Sequence, residues 1–359
     1  MPTIGMPTVK IEFKSKGLTA IQRSARGIVL LILKETEDKT VKDFSFTNLA
    51  QVDEKLFSKD VYKYIKLAFE AAPNRMLVRT YDGKTRTLDG LLKSLTLEKF
   101  NYYATPNLTD DDIGKVLSWH KDIVSKKDKT IKYVGFEQEA NDISIINWAE
   151  PNLIYDGEKY SGLEFTALVA STLAALPLTR SCTFFSWPKI SWASLPFADK
   201  EDEAVNEGKL FLTYDGKKYK IARGVNSFTD YEQDKGEDFS KIRIVEAIHL
   251  IKDDIRDTWN NFYVGKILNK YENKQQFIAL INRVYFKELE ETVVEAQSDN
   301  SVDIDIEANR RYAIIRGADV DEMTEMQIKT YNTGSKLFLN GKVSLLDAME
   351  DLYISFRNE

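Results

Sequence analysis

Few side chains in this sequence have the chemistry of a catalyst. Its 359 residues include two histidines, His120 and His249. His120 lies on the same apolar side of a predicted helix as Ile113, which favours a histidine that is hydrogen-bonded in or near the core. His249 lies in the middle of a predicted helix beside charged residues, which favours a surface position for its side chain. HExxH, GxSxG and P-loop patterns do not occur. Composition permits a Ser–His–Asp triad, but nothing in the spacing positions one.

Acidic and aromatic clusters are the other candidates for binding chemistry. Asp253-Asp254 and the run SDNSVDIDIE offer carboxylates to a cation, but they lack the glycine and terminal glutamate spacing of an EF-hand. Apolar and acidic residues alternate within that run, as in a half-solvated strand. Trp187 and Trp192 can stack on a ligand, although an aromatic interface or core is the commoner use. We therefore predict no catalytic, metal or cofactor site.

Composition narrows the class of protein. The chain is long enough for two or three domains, and its formal net charge of −6 argues against a general nucleic-acid binder. Cys182 is the single cysteine, so no intramolecular disulfide can form, which fits a reducing compartment. MPTIGMPTVK lacks the layout of a signal peptide, and no apolar run is long enough to span a bilayer. We expect a protein made and kept in the cytoplasm, or released only by lysis.

The first two thirds of the chain alternate between strand and helix patterns. The apolar run GIVLLIL from Gly27 is typical of a strand buried on both faces. Helices are predicted around Val61, at Leu88–Leu95, after Thr109 and after Ser161, where Glu164 completes a capping box. Such repetition predicts a mostly parallel sheet with packed helices. A hairpin is predicted to turn at Asp215-Gly216, and further strands are predicted at MLVRTY, NYYAT, IKYVGF and SCTFF.

The pattern changes near Gly236. A long helix is predicted from Ser240 and a second one over Lys274–Glu291, each with one apolar side. Short strands are then predicted at VDIDI, RYAIIRG, MQIKTY, KLFLNGKV and DLYISFR. Helices followed by a small sheet indicate a second, smaller α+β domain.

Both chain ends have the alternation of a strand with one apolar face. The apolar positions are Val9, Ile11, Phe13, Leu352, Ile354 and Phe356. Such strands either pair inside one sheet of a monomer or act as arms that pair with a sheet edge on another copy. The basic stretch after Phe13 is predicted to be a linker hinged at Gly17 and Gly27. Its cations Lys14, Lys16, Arg23 and Arg26 are expected to be solvated, with phosphate contact as the alternative.

Four segments resemble contractile tail sheath proteins. They are AALPLTRSCTF, LFLTYDGKKYKIARGVNSFT, FSKIRIVEAIHLIKDDI with YVGKILN, and SLLDAMEDLYISF. They follow the family order over the last half of the chain, whereas the first half agrees mainly in layout. Asp351 stands where the family pattern usually has lysine. The short chain resembles the compact sheaths of R-type bacteriocins and small myophages.

The resemblance implies a structural protein and no enzyme or cofactor. Such subunits form stacked hexameric rings around an inner tube, join through strands exchanged between neighbours, and contract to drive the tube through a cell envelope. Baseplate and tail terminator proteins are the other implied partners, with no direct nucleic-acid contact and no membrane insertion. Particles are assembled in the bacterial cytoplasm and released by lysis. The implied tube contact is a charged helix, here with Lys274, Arg283, Lys287 and Glu288, and solvation of that helix is the alternative.

The resemblance also implies a domain plan. The plan has a strand arm and linker (1–26), an α/β domain resembling subtilisin without its active site (27–236), an α+β domain (237–348) and a C-terminal strand arm (349–359). The competing interpretation is a monomeric α/β hydrolase-like or binding protein whose terminal strands pair internally.

Overall fold

The computed structural model describes residues 20–21, 23–39, 41–231 and 235–357. They divide into two compact units: a larger unit of Ser24–Asp253 with the segment from Leu345, and a smaller unit of Asp254–Ser344 with the residues up to Arg23. The predicted strand at Val9, Ile11 and Phe13 and the predicted hinge at Gly17 lie outside the described residues. The predicted domain bounds at 236 and 348 stay a prediction, because they separate segments by the part that each would play in an assembled sheath.

A seven-stranded sheet organises the larger unit. Its strand order is β10-β6-β5-β4-β1-β3-β2, and all neighbours are parallel except β2 and β3. The predicted mostly parallel sheet is thereby confirmed. The strands of this unit are β1 (Ile28–Lys34), β2 (Asp43–Phe46), β3 (Arg75–Tyr81), β4 (Tyr102–Ala104), β5 (Lys132–Phe136), β6 (Ile145–Trp148), β7 (Asn152–Tyr155), β8 (Glu158–Ser161), β9 (Ile190–Ala193), β10 (Lys209–Leu210), β11 (Leu212–Tyr214) and β12 (Tyr219–Ile221).

The smaller sheets and the helices complete this unit. Strands β8, β7 and β9 form one antiparallel sheet, and β11 and β12 form the predicted hairpin. The helices are α1 (Lys59–Phe69), α2 (Leu88–Leu95), α3 (Asp110–Lys127), α4 (Gly162–Ala175), α5 (Glu201–Asn206) and α6 (Ile242–Thr258), whose residues from Asp254 onward belong to the smaller unit.

Strand β1 shows why the sheet is buried on both faces. Successive side chains of a strand point to opposite sides, so an unbroken apolar run serves two cores at once. Val29, Leu31 and Leu33 belong to one buried cluster. Ile28, Leu30 and Ile32 belong to the other.

The predicted helix starts agree with the structure. Ser161 and Glu164 form the capping box of α4, in which the Ser161 amide donates to Glu164 Oε2 at 2.8 Å. Thr109 caps α3. The first turn of this helix carries three aspartates, whose negative charges interact favourably with the positive N-terminal end of the helix dipole. The predicted strand at SCTFF is wrong, because residues 181–185 form turns. Ser181 Oγ accepts from the Thr183 amide at 3.1 Å, a local bond that competes with strand pairing.

The smaller unit mixes helices with a two-stranded sheet. A π-helical turn, Trp259–Tyr263, follows α6, and a second one, Ile281–Tyr285, joins α7 to α8 into one run close to the predicted helix. VDIDI and KLFLNGKV contain strands, as predicted, and these strands, β13 and β14, pair antiparallel. The elements are α7 (Tyr271–Leu280), α8 (Phe286–Leu289), β13 (Ser301–Ile304), α9 (Ile306–Ile315), α10 (Glu325–Thr330) and β14 (Leu339–Lys342).

Two predicted strands in this unit are helices. RYAIIRG lies in α9, which begins where Asp305 Oδ1 accepts from the Ala308 amide at 2.8 Å. MQIKTY lies in α10, which begins with a capping box between Thr324 and Gln327. Both segments carry β-branched residues, but the caps upstream of them decide the local structure.

Candidate assembly segments at the chain ends

The last described residues form an exposed apolar segment. Between 346 and 357 the described chain forms no helix or strand. The exposed fractions are 81% for Leu352, 61% for Ile354 and 88% for Phe356. Isolated apolar side chains on a surface are ordinary, but a run of them at alternate positions indicates an interaction site. That they pair with another copy of the chain stays a prediction.

Arg223 holds the start of this segment. Its Nε donates to Glu350 Oε2 at 3.2 Å and its Nη2 to Asp351 Oδ2 at 2.6 Å. The hydrogen bond and charge of Asp351, with those of Glu350, raise the pKa of Arg223. Asp351, which departs from the family lysine, therefore has a partner of the opposite charge in this chain. Arg223 was not among our predicted site residues, although an aspartate at 351, where the family pattern usually has lysine, indicated that a cation would be its partner.

Two further contacts complete what we call the C-terminal anchor, formed by Thr183, Arg223, Lys241, Asp347, Glu350 and Asp351. Lys241 Nζ donates to Asp347 Oδ2 at 2.6 Å, and this bond raises the pKa of Lys241. Thr183 Oγ1 donates to Glu350 Oε1 at 2.7 Å. The segment is thus tied to the larger unit up to Asp351 and exposed beyond it.

The described N-terminal end is held in a different way. Arg26 forms ion pairs with Glu246 and, at 3.4 Å, with Asp253 Oδ2. Lys132 Nζ lies 2.6 Å from Glu246 Oε1, with its side chain 1% exposed. We call Arg26, Lys132, Glu246 and Asp253 the N-terminal anchor. The prediction of a solvated linker is wrong for Arg26, because carboxylates on α6 provide buried partners. In the smaller unit, Arg23 Nη1 likewise donates to Asp254 Oδ2, at 3.1 Å.

The charges of the N-terminal anchor depend on one another. Burial opposes the ionised form of Glu246, but the charges of Arg26 and Lys132 outweigh it and lower the pKa of this carboxyl. Burial lowers the pKa of Lys132, against the opposing effect of Glu246. His249 Nδ1 accepts from Lys132 Nζ at 3.2 Å, and burial, together with the Lys132 charge, lowers the pKa of His249 well below its ordinary value.

The two histidines have structural environments. His120 is buried, with Nδ1 3.0 Å from the Tyr103 hydroxyl and Nε2 2.8 Å from Ser144 Oγ, as predicted for a satisfied core histidine. Burial lowers the pKa of His120 to about 4. The surface prediction for His249 is wrong, because the face of α6 that carries it is covered.

Gly27 occupies a position that favours glycine. Its φ is +75°, and a Cβ there would lie 2.5 Å from Asn74 Nδ2. That amide also donates to the Arg26 carbonyl at 2.9 Å. A close approach and left-handed backbone account for this glycine, and its role as a hinge stays a prediction.

The predicted tube-contact residues divide into two groups. Lys274 is buried, and its Nζ donates to Thr333 Oγ1 at 3.1 Å, so burial removes it from the exposed surface of the smaller unit. Arg283, Lys287 and Glu288 are exposed. Only these three remain candidates for a contact with a tube.

The acidic and aromatic clusters have partners within the chain. In the run 298–307, Asp303 pairs with Lys329 at 2.8 Å and Asp305 caps α9. Trp187 is buried and donates to Thr172 Oγ1 at 3.0 Å, whereas Trp192 is exposed. Across the described ranges, no three His, Cys, Asp or Glu side chains are grouped so as to hold a metal ion. Nor does any helix described here have the length and apolar character needed to cross a membrane.

Solved structures of tail sheath proteins share this fold. The crystal structure of the sheath tail protein from Desulfitobacterium hafniense has a TM-score of 0.68 at 16% identity, covering 82% of this chain and 93% of that one. The crystal structure of the sheath tail protein Lin1278 from Listeria innocua has a TM-score of 0.65 at 16% identity, covering 80% of this chain and 91% of that one. A chain in the cryo-EM structure of the anti-feeding prophage baseplate has a TM-score of 0.65 at 11% identity, covering 99% of this chain and 100% of that one. The fold is therefore that of a sheath protein.

Sequence comparison identifies the family. The family profile of the phage tail sheath C-terminal domain matches residues 234–358. The "Tail sheath protein" of Clostridium phage phiCD119 is 33% identical over 362 residues, covering 98% of each chain. The chain belongs to the phage tail sheath protein family and is a structural sheath subunit.

Proposed function

We propose that this subunit polymerises as stacked hexameric rings around an inner tube and contracts to drive that tube through a target cell envelope, without catalysing a reaction. The observation that carries the proposal is the segment Leu352–Phe356, which alternates like a strand, is exposed, and has no strand partner in the described chain. Unpaired backbone groups and a row of apolar side chains favour addition to the edge of a sheet.

The proposed acceptor is the sheet formed by β13 and β14. Two strands alone make a marginal sheet, and strands donated by neighbours would enlarge it. Val9, Ile11 and Phe13 are the proposed donor residues of the N-terminal arm, and Leu352, Ile354 and Phe356 those of the C-terminal arm. Gly17 and Gly27 are the proposed hinges. Contraction then requires two packings of the same subunits with different stability, and no nucleotide hydrolysis.

The proposed partners follow from this role. Arg283, Lys287 and Glu288 contact the tube protein, and baseplate and terminator proteins bound the polymer at its ends. Assembly takes place in the bacterial cytoplasm and release follows lysis, in a phage tail or an R-type particle. The alternative of a monomeric hydrolase-like or binding protein requires the terminal strands to pair internally.

Electron microscopy of the purified chain, with and without its tube protein, tests polymerisation. We expect striated hollow cylinders or stacked rings. Deleting residues 1–14 should leave the subunit folded and unable to polymerise, whereas a monomer with internally paired strands should lose stability. Monodisperse particles under all conditions would contradict the proposal.

Ile354→Pro tests the strand pairing itself. Proline removes a ladder donor, so polymers should disappear. The free energy of unfolding of the monomer should change by no more than about 0.5 kcal/mol, because residue 354 lies outside any helix or strand of its own chain. Ile354→Asn removes an apolar side chain of the proposed arm and should also prevent polymerisation. Leu97→Asn is its matched control and should polymerise normally, since Leu97 is an exposed apolar residue away from the ends. Normal polymers from both Ile354 variants would contradict strand exchange.

A further inference from the structure

The C-terminal segment changes character at Asp351. Asp347, Glu350 and Asp351 are held by the larger unit through side-chain contacts. From Leu352 onward the apolar residues are exposed. The point where the segment leaves the subunit is therefore defined by charged contacts, directly before the residues proposed to bind a neighbour.

Arg223 is suited to fixing the direction of the segment as well as its position. It lies two residues after the end of β12, so its backbone is part of the body of the larger unit. Its guanidinium contacts two consecutive carboxylates, those of Glu350 and Asp351. One contact would fix a point, but two contacts from one planar group also restrict how the chain turns there.

A hydrogen-bond relay supports the same site from the other side. The Gly224 amide donates to Thr183 Oγ1 at 2.9 Å, and Thr183 Oγ1 donates to Glu350 Oε1 at 2.7 Å. Glu350 is therefore held by Arg223 and by a hydroxyl that is itself fixed next to Arg223. This arrangement positions the carboxylate more firmly than a single surface ion pair does.

We propose that Arg223 is a positioning residue for polymerisation, which holds Glu350 and Asp351 so that Leu352–Phe356 leave the subunit in the one direction that fits a neighbour. This inference rests on the proposed function of the segment as an arm. Residues 223 and 351 form a coupled pair: an arginine at 223 favours the aspartate that this chain carries at 351. A sheath subunit can thus keep its arm prepared for binding before a neighbour arrives, which lowers the entropy lost on association.

Charge reversal with rescue tests the coupling. Arg223→Glu places three carboxylates together and should raise the concentration needed for polymerisation about tenfold. Adding Asp351→Lys restores an opposite-charge pair and should recover most of this loss. Lys218→Glu is the matched control, because it makes the same charge change at an exposed position in the turn between β11 and β12, a few residues before Arg223, and should polymerise normally. Arg223→Lys keeps the charge without the planar fork and should give an intermediate value.

Measurements on the monomer separate positioning from folding and from the proposed function. Amide hydrogen exchange at 347–351 should be faster in Arg223→Glu and return towards wild type in the double variant, while the midpoint of urea unfolding changes little. If the wild-type chain never polymerises, the proposed function fails, and the exchange data still test the anchor. If Arg223→Glu polymerises as well as wild type, or Asp351→Lys gives no rescue in either assay, the inference is wrong.

Discussion

Two sites near the ends of the described chain, at Arg26 and at 347–351, are held within the larger unit by the same kinds of charged group with different exposure to water. In the N-terminal anchor, the exposed fractions of the charged side chains run from 1% for Lys132 to 18% for Arg26. In the C-terminal anchor, they run from 11% for Glu350 to 54% for Asp351. Burial strengthens the mutual dependence of charges, whereas water and salt weaken each exposed pair. One anchor is therefore part of the folded core, and the other is a contact that can be broken and re-formed.

This difference matters for a subunit that is proposed to change its packing without losing its neighbours. An arm whose attachment belongs to the core keeps its origin fixed while the chain beyond it bends. An arm held by partly exposed ion pairs has a defined direction in the free subunit and can still be released at modest free-energy cost, because each exposed pair contributes at most about 1 kcal/mol. The structure thus favours a subunit with one fixed and one adjustable attachment.

The largest expected effect is in the N-terminal anchor. Glu246→Gln removes the carboxylate that the partly buried Arg26 and the buried Lys132 share, and should lower the free energy of unfolding by about 3–5 kcal/mol. Glu237→Gln, the same change at an exposed position, should shift it by less than about 0.5 kcal/mol. Urea titration monitored by circular dichroism measures both. A small effect of Glu246→Gln would remove the contrast between the two anchors.

Acid should lower the stability of the larger unit before it loosens the C-terminal anchor. The pKa of His249 is lowered in the folded state, so the unfolded chain takes up this proton first and stability falls as pH drops below about 6.5. The slope is about 1.4 kcal/mol per pH unit for this group, and His120 adds a second such contribution. His249→Gln should remove one of the two.

Urea unfolding of wild type, His249→Gln and His120→Gln between pH 7.5 and pH 5.5, as chosen conditions about one unit either side of the ordinary histidine pKa, checks this prediction. The protection of the amides at 347–351, which is their exchange rate relative to the intrinsic rate at each pH, should stay unchanged over that range, since Arg223 and Lys241 have raised pKa values and remain charged. Equal slopes in all three proteins would show that neither histidine is held neutral.

Gly27 should respond more moderately. Gly27→Ala must adopt a left-handed φ and displace the Asn74 side chain, at a cost of about 1–2 kcal/mol. Gly236→Ala is the control, because a Cβ there meets nothing within 4 Å and its φ is not positive. Thermal unfolding of the two variants gives the difference. Tolerance of alanine at 27 would mean that this turn is looser than its geometry indicates.

Much of the larger unit was predictable because its signals are local. The run at β1, the capping box of α4 and the turn at Asp215-Gly216 each specify an element through neighbouring residues. In the smaller unit, the local pattern was misleading at α9 and α10, where β-branched residues suggested strands. Helix caps directly upstream determine the local structure instead. The capping box of Thr324 and Gln327 is recognisable in the sequence, although we predicted a strand there.

The candidate site was predictable only in part. Leu352, Ile354 and Phe356 stand out by alternation, and the structure finds them exposed. Arg223 and Lys241 are more than 100 residues away from their carboxylate partners, so no local pattern connects them. The burial of His249 and Lys274 likewise depends on segments distant in sequence, Lys132 and Thr333.

The smallest expected effect tests whether the C-terminal anchor is adjustable. Lys241→Ala removes the pair with Asp347 and should change the free energy of unfolding by less than about 1 kcal/mol, because the pair is partly exposed. Raising the salt concentration should speed amide exchange at 347–351 in wild type and have less effect in Lys241→Ala, where one screened pair is already absent. The amide of Arg26 should show no such response. If salt loosened both ends equally, burial would not be what distinguishes the two anchors.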